Sequence, residues 1–245
     1  MIKGILFDKD GTLIDFFSLW LKAALETVPV FLRHNGIEPT AEMQEYIQQV
    51  IGIEKEKVDP KGALAYKSYG EIAKDISAAL EEKQIYLDAE AVRQQIETLF
   101  VENVTGNGAD YQQFVNVEEL IETLKECGIA IGLATADTVG SATACLEKLN
   151  VLQEFDYVGA DDGIMQPKPA PDMFERFKEQ TGLDANEIAV VGDTYNDIVF
   201  AKENGGIAIG VLSGVSSRED FHGEADYVLD SIGELPDIIE AEAKV

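Results

Sequence analysis

Two aspartates one residue apart, Asp8 and Asp10, close the first apolar run of this chain. Carboxylates so placed can attack an electrophile, shuttle a proton or hold a cation. Three further polar groups belong with them. Thr135 follows the apolar run Ile129 to Ala134, Asp193 and Asp197 follow Ile188 to Gly192, and Lys168 lies in a loop ahead of a helical stretch. Carboxylates gathered in one place repel one another, and a hard cation with oxygen ligands relieves that at least cost. A few carboxylates with retained waters suit Mg2+. A cation, a lysine and a hydroxyl together suit a phosphoryl group, whose transition-state charge spreads over three oxygens. Asp8 could then attack phosphorus to give an aspartyl-phosphate, and Asp10 could protonate the leaving oxygen and later activate water. Each group alone has a plainer reading: a solvated Asp turn, a strand-end threonine, a surface lysine, or, for Asp197, a first-turn helix residue favoured by the dipole. Their convergence is what argues for chemistry.

The elements must supply that convergence. Residues 2–7, 129–134, 188–191 and 207–211 read as buried strands, with shorter ones near 155–158 and 226–229. Helical patterns over 117–127, 139–149, 170–181 and 195–204, with one more at the end of the chain, separate them. Alternating strands and helices predict an α/β fold, a Rossmann-like core whose parallel sheet is flanked by helices. In such a sheet all strand C-termini lie on one edge, where ligands bind.

Between residues 16 and 105 nothing reads as a strand. Helices are expected near 16–35, with a kink at Pro29, then at 40–50 with Thr40 as N-cap, at 63–83 and at 88–102. Gly52 to Gly62 reads as a loop, and Asn103 to Asp110, with Gly106 and Gly108, as a linker. The organisation expected is a catalytic core of 1–15 and 111–245 interrupted by an α-helical cap domain, 16–110. The insert follows the first strand, so a lid at the mouth of the site is the expectation from connectivity. Trp20, Phe16 and Phe17 either line the cleft or form helix core.

The formal net charge of -27 disfavours nucleic-acid and anionic-membrane partners. An anionic substrate would need a local positive site. The two cysteines, Cys127 and Cys145, fall in helical patterns beside apolar residues and read as reduced core residues of a cytoplasmic protein. No signal peptide or membrane span is expected; Phe16 to Val30 is broken by Lys22, Glu26 and Pro29. His34 and His222 lack partners at metal spacing and are given no role. The oligomeric state expected is monomer or homodimer.

The stretch Phe7-Asp8-Lys9-Asp10-Gly11-Thr12-Leu13-Ile14-Asp15 resembles the first signature of the haloacid dehalogenase-like hydrolases. Thr135 after Gly132-Leu133-Ala134 resembles the second signature, Lys168-Pro169-Ala170-Pro171-Asp172 the third, and Gly192-Asp193 through Asp197 the fourth. The insert sits where that family carries a helical cap, and the nearest subgroup resembles phosphoglycolate phosphatases. The resemblance implies Asp8 as nucleophile and metal ligand. It implies Asp10 as acid/base and as donor of a backbone carbonyl to Mg2+, with Asp193 and Asp197 as further metal residues. Thr135 and Lys168 would hold the phosphoryl group, with backbone N–H groups from Lys9 onward and that of Ala136 completing the cradle. Two positions depart from the pattern. Lys9 stands where an apolar residue is commoner and where the side chain normally points away from the site, and Ala136-Asp137 follows Thr135 where the family often has Asn, Ser or Lys; an acid there should not help to hold phosphate.

The function expected is Mg2+-dependent hydrolysis of a small phosphate monoester, phosphoglycolate-like or a sugar phosphate. The partner is then a small phosphorylated metabolite. Lys55, and beside it Lys61 and Lys67, are the insert's candidates for reading the substrate, against the plainer reading of solvated charges. A phosphomutase would keep every catalytic residue and transfer the phosphoryl group to a substrate hydroxyl. A non-catalytic binding module should have lost one of Asp8, Asp10, Lys168 or Asp193, and none is lost.

Overall fold

The computed structural model describes residues 1–15, 17–55, 57–59, 61–105 and 112–243. The chain divides into two compact units, one of Met1–Phe16 with Tyr111–Val245 and one of Phe17–Asp110. The strands, in chain order, are β1 (Gly4–Phe7), β2 (Ile53–Glu54), β3 (Lys57–Val58), β4 (Ala130–Thr138), β5 (Tyr157–Asp161), β6 (Ile188–Gly192), β7 (Ile207–Val211) and β8 (Tyr227–Leu229).

Six of these make one parallel sheet of order β5-β4-β1-β6-β7-β8. Every residue of β1 and of β6 is buried, so both faces of the sheet are covered. Alternation sends Leu6, Val190 and Ala208 into a cluster with Phe174 and Phe177 of helix Asp172–Thr181 and Phe200 of helix Tyr195–Glu203. Ile5, Phe7, Ala189 and Val191 point the other way and are also buried. Continuous apolar strands with no polar face can only be this kind of element. The chain builds outward from β1 on one side, through β4 and β5, then returns to build β6, β7 and β8 on the other. The order reverses at β1, and ligand crevices in open α/β sheets form at such a reversal. The register sets Phe7 beside Leu133 on one flank and Val191 on the other. Asp8 therefore emerges level with Ala134 and Gly192, one residue short of Thr135 and of Asp193. The Asp15 N–H donates to the Gln112 carbonyl at 2.8 Å, so the chain leaves and re-enters this unit side by side.

The second unit is helical, with helices Lys22–His34, Ala41–Val50, Tyr69–Glu82 and Ala89–Thr105. Trp20 stacks between Phe100 and Tyr69, at ring separations of 5.4 and 6.2 Å, and is helix core in this unit. Phe16, Gly106 and Gly108 lie outside the described residues, as does the side chain of Phe17.

Several expectations need correction. The first helix opens as a π-helical turn, Phe17–Leu21. The expected loop at 52–62 holds an antiparallel hairpin pairing Ile53 with Val58. Its turn was readable only as charge, Glu54 to Lys57, and alternation over two-residue strands is too short to register. The helix expected over 63–83 is two, Ala63–Tyr66 and Tyr69–Glu82, because Ser68 caps the second in a reciprocal capping box with Glu71. The linker expected from Asn103 begins later, since helix runs to Thr105. Cys127 is exposed at the end of helix Val117–Glu126, not core, and only Cys145 is buried. Among the described residues no helix is long and apolar enough to cross a membrane.

Candidate active site

The C-terminal edge of β1, β4 and β6 gathers the polar groups. Lys168 donates to Asp8 Oδ1 at 2.7 Å and to Asp197 Oδ1 at 2.6 Å, and its side chain is only 5% exposed. The other Asp197 oxygen accepts from the Thr194 N–H at 3.1 Å and the Thr194 hydroxyl at 2.6 Å, a capping box that opens helix Tyr195–Glu203. The helix cap thus does a second job: it fixes the carboxylate that holds Lys168. Asn196 Nδ2 donates to the Lys168 carbonyl at 3.3 Å and ties down the loop that carries this lysine.

Asp193 is buried. Its Oδ2 accepts from the Val215 N–H at 2.8 Å, whereas Oδ1 has no hydrogen-bond partner. Asp8, Asp193 and Asp197 each offer an oxygen within 4.8 Å of the others. An orphaned buried carboxylate oxygen is costly unless something positive satisfies it. The donor set is all oxygen and carries more negative charge than Lys168 balances, so it fits a hard divalent cation. Two glycines make room for the Asp193 carboxylate. A Cβ at Gly11, whose φ is +78°, or at Gly214 would collide with the Asp193 carboxylate.

The electrostatics follow from this crowding. Burial pushes the Asp8 carboxyl up to about 7; Asp197 and Asp10 add to the rise, and Lys168 opposes it. Burial likewise raises Asp193 well above the usual carboxylate range, reinforced by Asp8 and Asp197. Burial acts to lower Lys168, yet Asp197 and Asp8 overcome it and keep the ammonium raised and charged.

Asp10 and Thr135 meet through Lys9 and Asp137. The Lys9 side chain is fully buried, with Nζ at 3.0 Å from Asp10 Oδ2 and 3.0 Å from Asp137 Oδ2. Asp137 donates its N–H to Thr135 Oγ1 at 3.2 Å. The expectation that the Lys9 side chain turns away from the site is therefore corrected: its charged end lies against Asp10. Ala136 is half-buried beside Thr135. Lys55 belongs to the second unit, at the turn of the β2–β3 hairpin, with an 83% exposed side chain near Glu54. Lys67 is paired with Asp75 at 2.7 Å. Burial pushes the Cys145 thiol up to about 12.

A family model described as haloacid dehalogenase-like hydrolase matches residues 2–205. The chain belongs to the haloacid dehalogenase-like hydrolases. Among its relatives is a protein of Dickeya dadantii described as "Probable phosphatase IndB", 29% identical over 232 residues, covering 94% of this chain and 90% of that one. A phosphoglycolate phosphatase of Vibrio parahaemolyticus is 26% identical, covering 99% and 98%. The fold is shared with the crystal structure of a predicted phosphoglycolate phosphatase from Haemophilus somnus, at a TM-score of 0.74, 19% identity and 97% coverage of both chains.

Within this hydrolase the structure also places residues that sequence reasoning passed over. The loop after β7 supplies the Val215 N–H to Asp193 and the Ser213 hydroxyl to the Gly11 carbonyl at 2.8 Å. The signal for it existed: Leu212 to Val215 follows an apolar strand, as the other site groups do, but carries no ionisable residue to draw notice.

Proposed function

We propose that this hydrolase is a Mg2+-dependent phosphatase of small phosphate monoesters, working through an aspartyl-phosphate on Asp8. The observation that carries the reading is the buried Lys168 ammonium bridging Asp8 and Asp197 beside the orphaned Asp193 oxygen. Phosphate-ester cleavage needs such preorganised charge around one nucleophile. The names of the relatives, phosphatase and phosphoglycolate phosphatase, agree with it.

Asp8 and Asp193, with the Asp10 carbonyl, would hold the ion; Asp197, engaged on both oxygens, would contact it only through water. When bound, Mg2+ neutralises the carboxylates and the phosphoryl oxygens. The chain's own residues do the rest. An Asp8 oxygen attacks phosphorus while the bond to the leaving oxygen breaks, and the Asp10 carboxyl gives that oxygen its proton. The Asp10 carboxylate then takes a proton from water as the water attacks the aspartyl-phosphate, returning free Asp8 and inorganic phosphate. Lys168 and the Thr135 hydroxyl, with the N–H groups of Lys9 and Ala136, orient the phosphoryl oxygens. In this reading residues 16–110 are the helical cap domain inserted into a core of 1–15 and 111–245, and Lys55 contributes to substrate choice. The free cysteines suit a reducing compartment, the cytoplasm.

The test is phosphate release from a panel that includes phosphoglycolate, sugar phosphates, nucleoside monophosphates and pyrophosphate, with Mg2+ and with EDTA. Metal-dependent release that disappears in Asp8→Asn supports the reading. Isomerised sugar phosphate without free phosphate would mark a phosphomutase instead.

A further inference from the structure

The charged group least expected in this α/β unit is Lys9. Its side chain is 0% exposed, yet its ammonium lies 3.1 and 3.0 Å from the two Asp10 oxygens and 3.0 Å from Asp137 Oδ2. The Asp137 side chain is 1% exposed and is itself fixed from the backbone: its Oδ1 accepts from the Thr138 N–H at 2.7 Å, and its own N–H donates to Thr135. A buried ammonium is tolerated only when paired and hydrogen-bonded. One partner here is an acid on β4, the other an acid on the loop that leaves β1. The two positions that depart from the family pattern thus meet each other.

We propose that Lys9 is a positioning residue for Asp10. Its ammonium holds both oxygens of the Asp10 carboxylate in one orientation, and Asp137 serves as the counter-ion that lets a buried lysine do so. Asp137 then takes no part in binding the substrate phosphate. The charges of Lys9 and Asp137 cancel, so Asp10 gains an anchor without a net change in local charge. The Lys9 side chain neither touches substrate nor transfers a proton; the proton still passes from Asp10 to the leaving oxygen and from water back to Asp10. The proposal rests on the reading of Asp10 as the general acid/base.

The test compares kcat/KM for p-nitrophenyl phosphate, whose leaving group needs little protonation, with that for a simple alkyl phosphate, whose leaving group needs it fully. The variant Lys9→Met with Asp137→Asn leaves no unpaired buried charge. It should keep its fold and lose roughly 10- to 100-fold on the alkyl ester, the scale of a misplaced catalytic group, and clearly less on the nitrophenyl ester. Asp137→Asn alone, which leaves Lys9 on Asp10, should keep the wild-type ratio between the two esters. In an Asp10→Asn background the pair Lys9→Met and Asp137→Asn should add almost nothing. Equal losses on both esters, or losses that add fully to those of Asp10→Asn, overturn the proposal. If the double variant unfolds, Lys9→Gln takes its place and the same ratio decides. Should Asp10→Asn itself leave the alkyl ester rate intact, the reading of Asp10 fails first. A slow Asp10→Asn with unaffected Lys9 variants sinks this inference alone.

Discussion

Replacing the nucleophile should stabilise the metal-free protein, and by an amount that depends on pH. Asp8 sits near Asp193 and Asp197 with Lys168 as the ammonium between it and Asp197, and its carboxyl is pushed from the ordinary 3.8 up to about 7. A carboxyl raised on folding keeps its proton longer in the native state. Its stabilising contribution is complete below pH 3.8 and is lost as pH rises through about 7. Between those limits the native protein loses about 1.4 kcal/mol per pH unit from this group. In Asp8→Asn the side chain stays neutral throughout. Relative to wild type the variant should therefore gain roughly 2–3 kcal/mol on going from pH 5 to pH 8, or roughly 5–10 °C in the melting of the α/β unit. Circular-dichroism melts in EDTA at the two pH values measure this. Mg2+ at pH 8 should raise the wild-type Tm more than that of the variant, because the ion supplies the charge the cluster lacks. A stability difference that does not change with pH, or that moves in favour of wild type as pH rises, would refute the account of the site as an overcharged acidic cluster.

Other perturbations probe the same geometry from different sides. Lys168→Met leaves two buried carboxylates without their ammonium and should cost about 3–5 kcal/mol in EDTA melts, with part of the loss recovered by Mg2+. Asp193→Asn removes the orphaned oxygen and should raise the Mg2+ concentration for half-maximal activity roughly tenfold or more, read from a metal titration of turnover. Gly214→Ala drives a methyl group into the Asp193 carboxylate; turnover should fall roughly 10- to 100-fold and thermal melts should show a loss of about 1–3 kcal/mol.

The sheet was legible because its central strands are unbroken apolar runs that each end in a polar residue. Gly4–Phe7 and Ile188–Gly192 fall where the pattern put them, and their parallel pairing brings Asp8 level with Gly192 without any side-chain information. The gathering of Asp8, Lys168, Asp193 and Asp197 follows from that register and from one helix cap. Features made by tertiary contact were not legible. The β2–β3 hairpin has too few residues for alternation to register. The Ser68 cap that splits one expected helix did carry a sequence signal, the capping-box spacing of Ser68 and Glu71, which the apolar pattern running across it hid. Cys127 lies on the solvent side of a helix end that its apolar neighbours disguised. Lys9 and Asp137 each looked like a local departure, since the contact that explains both joins the loop after β1 to β4.

The covalent step is the centre of the account, and it can be trapped. Wild-type protein and Mg2+ would be mixed with a hydrolysed monoester carrying labelled phosphate, quenched in acid during turnover, digested, and examined by mass spectrometry. One phosphoryl group, labile to hydroxylamine, is expected on the peptide bearing Asp8, and none in Asp8→Asn. Steady hydrolysis by wild type with no label on that peptide at any quench time would contradict it.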